Sequence, residues 1–131
     1  MALFQGSEAV SGDRSTELER IEAAEAFERV RHGVCALVDV RTAEERKSLG
    51  YVPQSVHIAW RLGPALTRNP RFLRELAQRV RTGEPVIFIC RSEARSAEAA
   101  HAAAEAGYQV AYVAGGAENG WRAQGLPWSF T

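Results

Sequence analysis

Hydrophobic residues in this chain follow two rhythms. In the first they run almost unbroken, at positions 34–40, 56–58, 86–89 and 109–113. Short apolar runs with β-branched residues, bounded by turn formers, predict strands. The wholly apolar stretch Val86-Ile87-Phe88-Ile89 predicts one buried on both faces, as inside a parallel sheet. In the second rhythm apolar residues recur every three or four positions. Ala23, Ala26, Phe27 and Val30 predict a helix over 22–32, stopped by Gly33. Phe72, Leu73, Leu76 and Val80 predict another, opened by Asn69 as cap and Pro70 at the first helical position, and reaching about residue 81. Thr42 reads as the N-cap of a shorter helix, with Glu44 and Glu45 in its first turn, ending near Gly50. An Ala-rich helix is predicted over 96–106, with Gly107 as its stop.

The remaining segments are punctuation. Residues around Arg20-Ile21 predict an edge strand, Gly50-Tyr51-Val52-Pro53-Gln54-Ser55 a turn, and 60–67 a loop. Ala114-Gly115-Gly116 predicts a tight turn, followed by a short helix from Ala117 past Trp121 to Gly125-Leu126-Pro127. Strands alternate with helices throughout, the pattern of an α/β domain with a parallel sheet. Residues 1–16 show no periodicity and read as a flexible N-terminal arm on a domain spanning 17–131.

Composition removes several function classes. A chain of 131 residues, 46% hydrophobic and 24% charged, is an ordinary globular domain with one core. Its formal net charge of zero argues against nucleic acid or an anionic membrane as partner. No apolar run approaches membrane-spanning length, and the first residues lack a signal-peptide core, so a cytoplasmic location is expected. Two cysteines are too few for a disulfide scaffold.

In parallel sheets, functional groups gather beyond the carboxyl ends of the strands. Cys90, the Asp39-Val40-Arg41 segment and Gly115-Gly116 all follow predicted strands and should share that edge. A thiol between a buried strand and a helix N-terminus meets free N–H groups and the positive end of the helix dipole, surroundings that favour a nucleophilic thiolate. A core cysteine would have no need of two flanking arginines; here Arg91 and Arg95 follow Cys90. Both suit an anionic substrate, although Arg91 also fits a rim salt bridge. Ser92 and Ser96 offer hydroxyls, with Ser96 also a candidate helix cap. Cys35 begins its strand, roughly 13–17 Å from Cys90 at about 3.3 Å per residue. A disulfide requires Cα atoms within about 7 Å, so Cys35 is expected in the core. His32, His57 and His101 lack metal-ligand spacing, and no metal or cofactor is expected.

Leu37-Val38-Asp39-Val40-Arg41 with Glu44-Glu45, then Gly50-Tyr51-Val52-Pro53, then Cys90-Arg91-Ser92-Glu93-Ala94-Arg95-Ser96, then Gly115-Gly116 with Trp121 and Gly125-Leu126-Pro127 occur in this order. On these stretches the chain resembles the single-domain rhodanese-like sulfurtransferases, over about residues 20–128. The resemblance implies a rhodanese-like fold, a central parallel sheet of about five strands flanked by helices. It implies that Cys90 takes sulfane sulfur as a persulfide from a small donor, thiosulfate or a persulfide. The sulfur then passes to cyanide or to a thiol, which can be protein-borne. Arg91, Ser92, Glu93, Ala94, Arg95 and Ser96 would form the substrate-binding loop. Asp39 and Arg41 match the strand-end motif, where a structural ion pair of Arg41 with Glu44 or Glu45 is expected.

Two positions depart from the pattern. Glu93 stands where Gly is common, bringing a Cβ and a negative charge near the thiol; it is expected to oppose anionic donors, to pair with Arg91 or Arg95, or to point to solvent at a tolerant position. Tyr51 stands where His is common; with Trp60 and Trp121 it is a candidate for pocket lining or for packing. Two further readings stay open. One is a catalytically weak rhodanese-like module for binding or redox sensing. The other is a Cys-dependent phosphatase or arsenate reductase. Such phosphatases place an Arg six positions after the Cys, whereas here Arg95 is five positions on and position 96 is Ser, which favours sulfur.

Overall fold

Every predicted strand finds a parallel neighbour. The computed structural model describes residues 18–81 and 83–131; the predicted arm over 1–16 lies outside them. In chain order the elements are β1 (Glu19–Ile21), α1 (Ala23–Arg31), β2 (Ala36–Asp39), α2 (Ala43–Leu49), β3 (Val56–His57), β4 (Arg61–Leu62), β5 (Thr67–Arg68), α3 (Phe72–Arg79), β6 (Val86–Ile89), α4 (Ala94–Glu105) and β7 (Val110–Val113). A π-helical turn (Gly116–Trp121) and a 3-10 turn (Arg122–Gln124) close the chain. The five-stranded sheet has the order β1-β7-β6-β2-β3, with all pairs parallel.

β6 lies at the centre, and all four of its residues are buried. Because side chains alternate along a strand, it feeds two cores. Val86, Phe88 and Cys90 face the layer built from Phe72, Leu76 and the alanine stripe Ala99, Ala100 and Ala103. Ile87 and Ile89 face the opposite layer with Ala23, Ala26, Ala117 and Trp121. The small side chains of α4 let that helix lie close against the sheet. Phe72 packs edge-on to Trp60 with ring centroids 5.0 Å apart. Full burial of a residue such as Phe88 contributes about 1.5–3 kcal/mol. Cys35 is buried in the second core, in line with its sequence reading. Among the described residues, no helix is long and apolar enough to cross a membrane.

Four local expectations are corrected. Residues 60–67 are not a loop, because β4 and β5 pair antiparallel as a hairpin with Leu62 opposite Thr67. α3 begins at Phe72 rather than Pro70, because Asn69 builds a turn first. Its Oδ1 accepts the Arg71 N–H at 3.0 Å and its Nδ2 donates to the Ala59 carbonyl at 2.9 Å. Leu73 lies toward solvent instead of joining the buried face of that helix, at 37% exposed. α4 begins at Ala94, two residues before the predicted start, so Ser96 is its third residue and not its cap.

The turn at Gly50 has a packing reason. Its φ is +86°, and an added Cβ would collide with the Trp128 indole and the Ser129 carbonyl. The chain's last residues cross here: Trp128 Nε1 donates to the Leu49 carbonyl at 2.9 Å, and Tyr51 pairs with Ser129. Tyr51 is therefore held by the C-terminal tail.

Candidate active site

Cys90 leaves the carboxyl end of β6 with 1% of its surface exposed. The next three residues turn sharply, and α4 starts at Ala94. The first amides of a helix have no intrahelical acceptor. One of them, Ser96 N–H, points at Cys90 Sγ from 3.3 Å, and Ser96 Oγ lies 3.4 Å from the sulfur. The Ser96 hydroxyl itself donates to the Glu93 carbonyl at 3.0 Å, which fixes its rotamer.

The glycine pair sets the direction of the loop's peptides. Ala117 N–H donates to the Cys90 carbonyl at 2.8 Å and Glu118 N–H to the Arg91 carbonyl at 3.1 Å. Gly116, at φ +63°, lies so close that a Cβ there would overlap the Ser92 carbonyl. A trans peptide points its C=O and N–H to opposite sides. With the carbonyls of Cys90, Arg91 and Ser92 turned toward the glycine turn, the N–H groups of Arg91, Ser92 and Glu93 face the other way. Among the described residues, the amides of Arg91, Ser92, Glu93, Ala94 and Arg95 have no acceptor. Successive free amides curled beside a helix N-terminus form an anion-holding concavity.

The side chains of this loop divide by the partners they find. Glu93 turns away from the thiol. Its carboxylate accepts Arg20 Nε and Nη2 at 2.9 and 2.7 Å, and Gly115 N–H at 2.7 Å. The Arg20 hydrogen bond and then the Gly115 amide hold it below the usual carboxylate range. The expected pairing of Glu93 with Arg91 or Arg95 does not form. Arg95 instead makes a two-pronged bond to Glu45, at 2.7 and 2.9 Å. Glu45 also accepts the Thr42 N–H at 2.9 Å, as half of a capping box at the start of α2. The Arg95 guanidinium, with help from Thr42, holds the Glu45 carboxyl down at about 2. Arg91 and Ser92 are exposed, and Arg91 has no ion-pair partner among the described residues. Ala94 offers only its backbone.

The strand-end motif is a buried brace. Arg41 does not reach Glu44 or Glu45; it folds back onto Asp39, with Nε at 3.0 Å and Nη2 at 2.8 Å, and its Nη2 also donates to the Gly50 carbonyl at 2.7 Å. Residues two apart on an extended strand share a face, whereas Glu45 is already engaged by Thr42 and Arg95. Arg46 adds a second cation to Asp39 at 3.0 Å. His57 Nε2 donates to the Arg41 carbonyl at 2.7 Å. The brace fixes the start of α2, which carries Glu45, which in turn fixes Arg95 beside the Cys90 loop.

A cavity of about 700 Å³ opens beside this loop, between Arg91 and Arg95, the first turn of α2, and the hairpin tip at Gly63, Pro64 and Leu66. None of the three aromatic candidates lines it. Trp121 is fully buried against Phe27, Tyr51 belongs to the tail, and Trp60 borders a separate groove with Arg61, Glu98 and His101. The sequence reading missed Arg20, Glu45 as the partner of Arg95, and the hairpin tip. Only Glu45 had a visible signal, the Thr42-x-x-Glu45 spacing of a capping box.

Comparison with known proteins agrees with this anatomy. The model of the rhodanese-like domain family matches residues 22–124. The crystal structure of Rv0390 from M. tuberculosis is 35% identical, superposes with a TM-score of 0.76, and covers 86% of this chain and 98% of that one. An uncharacterized protein of Rickettsia prowazekii is 34% identical over 106 residues, 72% of this chain and 82% of that protein. A protein of unknown function from Rhodopseudomonas palustris, described as a possible tyrosine phosphatase, is 26% identical with a TM-score of 0.64, over 89% of each chain.

Proposed function

The chain belongs to the rhodanese-like domain family, and from that premise we propose that it is a sulfurtransferase working through a persulfide on Cys90. The observation that carries this is the loop's backbone: Ser96 N–H meets the thiol at 3.3 Å, and the N–H groups of Arg91 to Arg95 have no acceptor among the described residues. A persulfide ends in an anionic sulfur with several lone pairs, and a concavity of preorganised N–H donors stabilises such an anion.

The chemistry proceeds in two displacements. The Cys90 thiolate attacks the outer sulfur of a sulfane donor. The new S–S bond forms as the donor's own S–S bond breaks, and the leaving group departs with the electron pair, as sulfite from thiosulfate or as a thiolate from an organic persulfide. An acceptor thiolate or cyanide then attacks the terminal sulfur, and the electron pair returns to Cys90. The loop amides hold the terminal sulfur between the two steps. Arg91, at the cavity rim, is free to attract an anionic donor.

Phosphate-ester hydrolysis, raised by the description of the Rhodopseudomonas palustris protein, has less support. Position 96 is a buried Ser bonded to the thiol, and the Arg95 guanidinium is engaged by Glu45. Position 96, where Cys-dependent phosphatases carry their Arg, is Ser. The test is transfer itself. Protein loaded with sulfane sulfur and freed of donor should release one equivalent of hydrogen sulfide to dithiothreitol, whereas Cys90→Ser should release none. Cys90-dependent hydrolysis of an aryl phosphate without sulfur transfer would reverse the choice.

A further inference from the structure

The cavity beside the Cys90 loop is far larger than an inorganic sulfur oxyanion requires. Its volume of about 700 Å³ falls in the range of pockets that hold organic ligands, about 300–1,000 Å³. Its charges are also balanced. Arg95 and Glu45 neutralise each other at 2.7 Å. That leaves Arg91 and Glu44 in the lining, both exposed and neither in an ion pair among the described residues. Pro64 and Leu66 at the hairpin tip add apolar lining. Leu66 holds a left-handed φ of +53° without being glycine. Such conformations are costly and concentrate at ligand clamps.

An inorganic dianion would gain from Arg91 and lose to Glu44. A donor carrying both an α-carboxylate and an α-ammonium satisfies both charges, the carboxylate on the planar fork of Arg91 and the ammonium on Glu44. Its carbon chain would lie against Pro64 and Leu66. Resting on the sulfurtransferase reading, we propose that the sulfur donor is an amino-acid-type hydropersulfide, zwitterionic at its α-carbon, rather than thiosulfate. The Cys90 thiolate attacks its outer sulfur, and the S–S bond to the donor breaks. The donor's own sulfur leaves with the electron pair and takes up the proton released by the transferred sulfur.

The test compares three donors on the intact chain: cysteine hydropersulfide, the hydropersulfide of N-acetylcysteine methyl ester, and thiosulfate. The second has the same carbon frame and neither α-charge, and stands in for a cysteine within a protein. The second-order rate of sulfur gain at Cys90 is measured for the parent, Glu44→Gln and Arg91→Gln. Cysteine hydropersulfide is expected to react about tenfold faster than its blocked ester. Glu44→Gln should lower that rate severalfold while raising the rate with thiosulfate, and Arg91→Gln should lower both. Equal rates for the free and blocked hydropersulfides, or a Glu44→Gln protein that behaves as the parent with all donors, would overturn the assignment while leaving sulfur transfer intact. If no donor loads Cys90, the sulfurtransferase reading itself falls, and this assignment with it.

Discussion

Arg20 on the edge strand clasps Glu93 in the loop after Cys90, across 73 residues of sequence, with paired contacts of 2.9 and 2.7 Å. The carboxylate that stands where glycine is common in this family is thereby neutralised and turned from the thiol. Its second oxygen also takes the Gly115 N–H, so Glu93 ties the edge strand and the glycine turn to the active loop. Uncovering that charge should then matter more than removing it. Arg20→Gln is expected to slow loading of Cys90 by thiosulfate severalfold, and more so at low salt, where an exposed charge acts furthest. Glu93→Gln instead uncovers the Arg20 cation, whose side chain is 55% exposed and whose charge does not repel an anionic donor, so loading should change less than about twofold. Arg20→Gln/Glu93→Gln should recover most of the loss. Second-order loading rates of the four proteins at two ionic strengths check this.

The Glu45–Arg95 bond gives the fold a pH signature. In the unfolded chain Glu45 titrates near 4.5; in the fold the Arg95 guanidinium and Thr42 hold it at about 2. A depressed carboxyl contributes stability that is present above its unfolded value and lost as pH falls through the folded one. Glu45→Gln should therefore cost on the order of 1–3 kcal/mol at pH 7, given the partial exposure of the pair. The gap between parent and variant should shrink below pH 4.5 and close near pH 2. Urea midpoints at neutral and acid pH measure it.

Gly116 and Gly125 both have positive φ, +63° and +72°, but only Gly116 lies against the active loop. Gly125→Ala should cost only the left-handed backbone penalty, roughly 1–2 kcal/mol, and leave sulfur loading unchanged. Gly116→Ala would push its Cβ into the Ser92 carbonyl and rotate the peptides of the loop that follows Cys90. Its loading rate should fall at least about tenfold, and restoring stability with low temperature should not restore it. Thermal melts and loading rates for both variants separate the two effects.

Arg41 is 1% exposed and braces Asp39, the Gly50 carbonyl and the face of Trp128. Breaking a buried ion pair by removing one partner costs about 3–5 kcal/mol, because the other charge is left without compensation. Arg41→Ala should show that loss in equilibrium unfolding. Arg46→Ala, whose side chain is 19% exposed and also reaches Ser55 Oγ and the Tyr51 ring, should cost less, because Arg41 still compensates Asp39.

What could be read from the sequence follows what sequence pattern encodes. Val86 to Ile89 declared a central strand by apolarity, and that alone put Cys90 at its carboxyl end. Gly115-Gly116 declared a turn, and Thr42 a helix N-cap. Arg20 and Glu93, or Arg95 and Glu45, carry no such mark. They are polar residues 73 and 50 positions apart that meet only once the sheet order is set. The β4–β5 hairpin was hidden for another reason. Its strands are two residues each and only partly apolar, too short for any period to appear. Proximity in sequence points Arg41 at the nearest acidic run, yet its partner is the carboxylate two residues back on the same strand face.

The central claim is that Cys90 alone carries transferable sulfur. Intact-mass measurement after treatment with a sulfane donor tests it most directly, on the parent, Cys35→Ser and Cys90→Ser. The parent and Cys35→Ser should each gain the mass of one sulfur atom, removed by cyanide or dithiothreitol, and Cys90→Ser should gain nothing. A gain on Cys90→Ser that disappears in Cys35→Ser would contradict the account.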